Sequence, residues 1–133
     1  MNESTEIVIG NRGADYVSIR VLEPTLDGWR RADIEVRCDG WIGNLRWSLM
    51  NGELTRFAEG IHRLHRDLSG TATLEPLEPN ICLTFTGDGK GHVAVRGIAR
   101  NNFVSRTELR FCLTIDQTYL KGIADSLSKA DSV

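Results

Sequence analysis

The 133-residue chain is predicted to form one α+β domain over residues 1–133: an antiparallel, mostly meander sheet of seven to eight strands with two amphipathic helices packed on it. Three observations lead there. Apolar and polar residues alternate along most of the chain, as in strands with one wet face. A two-residue Asp39-Gly40 turn separates two such runs, which is a hairpin signal. From Asn51 to Leu68, and again after Asp116, the apolar spacing lengthens to three and four, which is helical.

Each element has its own justification. YVSIRVL (16–22) sets Val17, Ile19 and Val21 against Ser18 and Arg20. RADIEVRC (31–38) sets Ala32, Ile34, Val36 and Cys38 against Arg31, Asp33, Glu35 and Arg37. In WIGNLRWSL (41–49), Trp41, Leu45, Trp47 and Leu49 share one face, which places an aromatic layer of the core there. The first helix carries Leu54, Phe57, Ala58, Ile61, Leu64, His65 and Leu68 on its stripe; Asn51 is its expected cap, and Ser69-Gly70 stops it. Strand patterns resume at 71–75, 81–86, 92–99 and 106–115, and a last helix near Asp116 carries Leu120, Ile123, Ala124 and Leu127 before the polar tail SKADSV. No internal repeat, low-complexity tract or linker is visible.

TGDGKGHV (86–93) has the composition of a phosphate loop but not its setting. A phosphate loop joins a strand to a helix N-terminus, and neither GxxxxGK[ST] nor GxGxxG can be written through these residues. Ile81, Leu83 and Phe85 before it and Val93 and Val95 after it are strand patterns, so the segment reads as a hairpin turn with Gly87, Gly89 and Gly91 at positive φ and Asp88 bonding back to its own backbone.

The remaining chemistry is sparse. His62 and His65 lie three apart on the first helix without the carboxylates or cysteines of a metal site. No serine sits in GxSxG, and Cys38, Cys82 and Cys112 are odd in number and widely spaced, as in reduced cytosolic proteins, although Cys82 and Cys112 could be neighbours on adjacent strands. No catalytic residue, cofactor or metal is therefore expected. The net charge of −2 lacks the basic excess of a nucleic-acid binder. The polar, acidic start MNESTEIVIG is unlike a signal peptide, and no run is long enough to span a membrane, so a cytoplasmic location is expected. One regional asymmetry stands out: 71–89 holds Glu75, Glu78 and Asp88 with no lysine or arginine, whereas 92–110 holds Arg96, Arg100, Arg106 and Arg110 against Glu108 alone. Such a pattern either steers a charged protein partner or pairs across strands.

The succession running from DGWRRADIEVRCDGWIGNLRWSLMNGELTRFAEG through SGTATLEPLE (69–78), TGDGKGHVAVRG (86–97) and DQTYL (116–120) resembles the WapI-family immunity proteins of bacterial polymorphic toxin systems, over roughly residues 15–130. The resemblance implies a cytoplasmic, non-catalytic antidote that binds the toxic C-terminal domain, often a nuclease, of a contact-dependent or secreted toxin. Its motifs are turns and strand starts and transfer no catalytic residue. The expected partner-binding residues are Glu75, Glu78 and Asp88, with Trp29 and Trp41 as anchors, because recognition surfaces centre on aromatics and charged loops. A small-molecule carrier, formed if the sheet curls into a barrel, and a hydrolase using Glu75 or His92 are the other classes left open.

Overall fold

The computed structural model describes residues 5–24 and 27–131. Four strands, β1 (Thr5–Gly10), β2 (Tyr16–Pro24), β3 (Trp29–Cys38) and β4 (Trp41–Met50), are followed by helix α1 (Glu53–Asp67). Four more, β5 (Ser69–Leu74), β6 (Ile81–Asp88), β7 (His92–Ala99) and β8 (Leu109–Asp116), lead through a short 3₁₀ turn into α2 (Leu120–Asp131). The expected antiparallel meander of seven to eight strands is present with eight, divided after β4 into two sheets ordered β1-β2-β3-β4 and β5-β6-β7-β8. A four-strand-plus-helix unit thus occurs twice in a sequence with no visible repeated motif. The strand at Thr5–Gly10 is the eighth, and β8 starts at Leu109, three residues later than its pattern suggested.

Alternation fixes which face is buried. Ile7, Ile19, Ile34 and Leu45 stand side by side across the first sheet, and Ala72, Phe85, Val95 and Leu113 across the second, all in one core shared with both helices. Trp47 belongs to that core at 2% exposure, but Trp41, expected in the same aromatic layer, is 68% exposed, because it starts β4 at the hairpin end where the face runs past the core. The Asp39-Gly40 hairpin is as expected, with both residues at positive φ (50° and 84°), the type I′ geometry that matches strand twist.

The glycine-rich segment is the β6–β7 hairpin. Gly89 and Gly91 have the anticipated positive φ, but Gly87 does not. Gly87 is required by close approach instead, since a Cβ there would lie 2.5 Å from the Leu68 carbonyl oxygen. Asp88 binds its own turn through the backbone N–H groups of Lys90 (2.6 Å) and His92 (3.1 Å), and its second oxygen lies 3.3 Å from His92 Nδ1. The His92 and Lys90 N–H groups hold its carboxyl below the usual aspartate range.

The helices cross between the halves. Although α1 follows the first sheet, it packs along β5 and sets Phe57 edge-on to Phe85 of β6, with centroids 5.4 Å apart. α2 follows the second sheet and packs on α1 and β1. The end of α2 is tied to the start of α1: the buried Arg30 guanidinium of β3 donates to the Ala130 carbonyl, and Asp131 Oδ2 accepts from Gly52 N (2.9 Å), Thr55 N (2.9 Å) and Thr55 Oγ1 (2.7 Å). Asn51 is therefore not the cap of α1. Gly52, at φ 94°, occupies that position without a side chain, and Asp131 supplies the missing acceptor. The segment expected as a polar tail is helical through Asp131, with Ala130 buried; 132–133 lie outside the described residues.

Cys82 on β6 and Cys112 on β8 are not neighbours, because β7 runs between them and they face Ile98 and Arg96 respectively. Two strand spacings, about 9–10 Å, exceed the reach of a disulfide. No helix among the described residues is long and apolar enough to cross a membrane.

Two outcomes test this description. Asp131→Ala is expected to lower the unfolding free energy by about 1–2 kcal/mol in urea titrations, whereas Asn51→Ala leaves it nearly unchanged. Asp88 adds stability that is fully present above its unfolded pKa and is lost as pH falls through its lower folded pKa. Asp88→Asn is accordingly expected to be less stable than wild type at neutral pH, with the gap in urea midpoints closing on acidification below the ordinary aspartate range.

Candidate partner-binding surface

Of the four outer strands, β1 is flanked by α2, β5 by α1, and β8 is approached by β1 and β3, while β4 has no comparable neighbour among the described elements beyond β3. The tight turn makes Cys38 and Trp41 its hydrogen-bonded closing pair, so odd-numbered residues of β4 bond to β3 and even-numbered ones point their backbone groups away. Met50 fits this alternation, since its N–H donates not to β3 but to Glu53 Oε1 at 2.7 Å. The backbone groups of Ile42, Asn44, Arg46 and Ser48 therefore face outward, and among the described residues none of them has a partner on that side.

Two connections border this edge. The β5–β6 connection is held by the buried Glu53, whose Oε2 accepts from Leu77 N at 3.0 Å, and by Trp47, whose Nε1 donates to the Glu78 carbonyl at 2.8 Å. The β7–β8 loop is stapled to it by Asn80, whose Nδ2 donates to the carbonyls of Arg100 (3.0 Å) and Asn101 (3.2 Å) while its own carbonyl accepts from Arg100 N (2.8 Å). Asn80 is 8% exposed, and its Nδ2 donors are satisfied by these two loop carbonyls. Within the β7–β8 loop, Asn102 Oδ1 accepts from Val104 N (3.1 Å) and Ser105 N (2.7 Å), which turns Phe103 (53% exposed) and Val104 (96% exposed) outward. Glu108 closes its base between Arg110 (2.6 Å) and Arg100 (3.3 Å), and the Arg110 hydrogen bond is the main reason its carboxyl is held below the usual glutamate range.

Three depressions adjoin along β4. One of about 400 Å³ lies between Trp41, Ile42 and Leu45 on one side and Ala99, Asn102, Ser105 and Leu109 on the other. A second, about 550 Å³, shares Asn44, Leu45 and Asn101 with the first and spreads over the wet face of the first sheet to Arg20, Asp33 and Arg46. The third, about 470 Å³, shares Asp33 and Arg46 with the second and reaches Glu78 and Asn80. On that wet face Glu6, Arg20, Asp33 and Arg46 form one cross-strand row of alternating charge, with Arg20 and Asp33 paired at 2.9 Å.

The residues expected to bind a partner are dispersed. Trp41 and Glu78 line depressions along β4, and the exposed Glu75 follows β5 in the Glu78 connection. Asp88 pairs in register with Ser69, six residues from Glu75, so the two lie at opposite ends of the second sheet, about 20 Å apart. Trp29 is half-buried opposite Met50, at the far end of the β3–β4 hairpin from Trp41 and about 30 Å from it. Of the acidic residues of 71–89, Glu75 and Glu78 stand in the β5–β6 connection and Asp88 ends β6, and of the arginines in 92–110, Arg100 and Arg110 meet Glu108. Phe103 and Val104 escaped the sequence reading; the available signal was an apolar pair inside the polar run NNFVSRT, without the period of a strand or helix.

A search of curated proteins gives no significant match. Among solved structures, a chain from the crystal structures of Trypanosoma bruciei MRP1/MRP2 is similar in fold, with a TM-score of 0.52 at 12% identity over 98% of this chain and 84% of that one. A family described as "Immunity protein WapI-like family" matches residues 7–130, from β1 through the last turns of α2. By that match over nearly its whole length, the chain belongs to the WapI-like immunity protein family.

Proposed function

We propose that this chain is a non-catalytic immunity protein that acts in the cytoplasm by binding and neutralising the C-terminal toxin domain of a bacterial polymorphic toxin. The observation that carries the reading is the family match over residues 7–130. The surface along β4 is consistent with it. Trp41, Ile42, Phe103 and Val104 are large, apolar and more than half exposed, and Trp41 and Ile42 border the same depression as Asn102 and Ser105, the residues that flank Phe103-Val104. Aromatics grouped around a depression and rimmed by polar side chains such as Asn44, Asn101 and Glu108 are the usual anatomy of a protein-binding hot spot. In this reading Trp41 is an anchor, and Glu78 sits on the rim at the other end. The buried scaffold of Glu53, Trp47 and Asn80 holds both connections in place before the partner arrives, which lowers the ordering cost of binding.

The test is co-expression with the C-terminal domain of a large secreted protein encoded beside this chain. A 1:1 complex stable at about 150 mM salt, where long-range attraction is screened, together with restored growth supports the reading; persistent toxicity without a complex contradicts it for that pair. Nucleic-acid integrity in arrested cells identifies a nuclease toxin. Trp41→Ala and Phe103→Ala are each expected to weaken the complex by about thirtyfold, the size of a hot-spot loss, while leaving the melting temperature of the free protein nearly unchanged, because both side chains are largely exposed.

A further inference from the structure

We propose that the toxin docks by adding an extended segment of its own to β4 as a fifth strand of the first sheet, with an acidic residue opposite Arg46; this rests on the immunity reading above. The outward backbone groups of Ile42, Asn44, Arg46 and Ser48 form the unsatisfied half of a hydrogen-bond ladder, and strand addition is the mode of recognition that uses such an edge.

The chemistry of the occupant follows from the rows that end at β4. Across the wet face the charges read Glu6, Arg20, Asp33, Arg46. Glu6 is paired with Arg12, and Arg20 with Asp33, but Arg46 is exposed and has no ion pair among the described residues. Directly opposed strand residues on one face interact, so the next position in this row favours a carboxylate. The neighbouring residue of the added segment points to the other face, where Leu45, Ala99 and Leu109 line the 400 Å³ depression and favour an apolar side chain. The exposed loop 101–107, carrying Phe103 and Val104, lines the same depression through Asn101, Asn102, Ser105 and Thr107, so the added segment would run beside it. A second copy of this chain paired through β4 does not supply the carboxylate, because WIGNLRWSLM contains no aspartate or glutamate.

The probe is the C-terminal domain of a large secreted protein encoded beside this chain, titrated calorimetrically against wild type, Asn44→Pro and Arg46→Glu. Proline at 44 removes an N–H that points away from β3, a position where edge strands tolerate it; Arg46→Glu alters an exposed side chain and keeps the test valid if the proline variant does not fold. Both variants are expected to bind at least about tenfold more weakly, Arg96→Glu on the second sheet to stay within about twofold, and a toxin acid-to-Arg change opposite position 46 to restore binding to Arg46→Glu. If wild type forms the complex and both folded variants bind equally well, strand addition is overturned and immunity stands. If Asn44→Pro instead dissociates a dimer of the free chain, the edge belongs to a second copy. Absence of any wild-type complex, with toxicity unrelieved, contradicts the immunity reading for that pair and this inference with it.

Discussion

The architecture depends on an exchange of helices between two similar halves. A four-stranded meander has one apolar face to cover, and here each helix is committed at least partly to the half it does not follow: α1 lies along β5, and α2 lies on α1 and β1. The exchange is locked where the ends meet. Asp131 terminates α2 and, through three hydrogen bonds, caps α1, while Arg30 reaches up from β3 to the Ala130 carbonyl. A carboxylate at a helix N-terminus is also favoured by the helix dipole, so the last described residue of the chain stabilises an element that begins almost eighty residues earlier.

This arrangement decides which edge is left uncovered. With α2 beside β1, α1 beside β5 and the sheets meeting through β8, β4 is, among the described elements, the edge without a comparable neighbour beyond β3. The features on which its proposed binding role rests are supplied by the second half: the Glu78 carbonyl that receives Trp47, Asn80 that joins two connections, and the loop that displays Phe103 and Val104. The surface is therefore composite, built from one sheet's edge and the other sheet's connections. It exists only when the two halves are correctly docked.

Much of the fold was legible because it is local. The alternation of Ala32, Ile34, Val36 and Cys38, the stripe from Leu54 to Leu64 and the Asp39-Gly40 turn are all properties of neighbouring residues, and each appears where the pattern put it. What escaped is non-local. Nothing near Gly52 indicates that its cap is Asp131; nothing in Trp41 distinguishes it from Trp47, which has the same parity in the same strand, until the hairpin end is placed relative to the core. Division into two sheets has no residue-level mark either, since β5 carries the same alternation whether it joins β4 or starts anew. Among the residues expected to bind a partner, the carboxylates were read from composition, and composition does not carry distance: Asp88 serves its own turn at one end of the second sheet while Glu78 borders β4.

The most direct measurement is amide hydrogen exchange on the free protein and on its complex with the toxin domain. If recognition runs along β4 and its bordering loops, protection should appear at Ile42, Asn44, Arg46 and Ser48 and across 100–108, while the outer face of the second sheet around Thr84 and Thr114 exchanges unchanged. New protection centred on that second sheet, with 42–48 unaltered, would contradict the assignment of this surface.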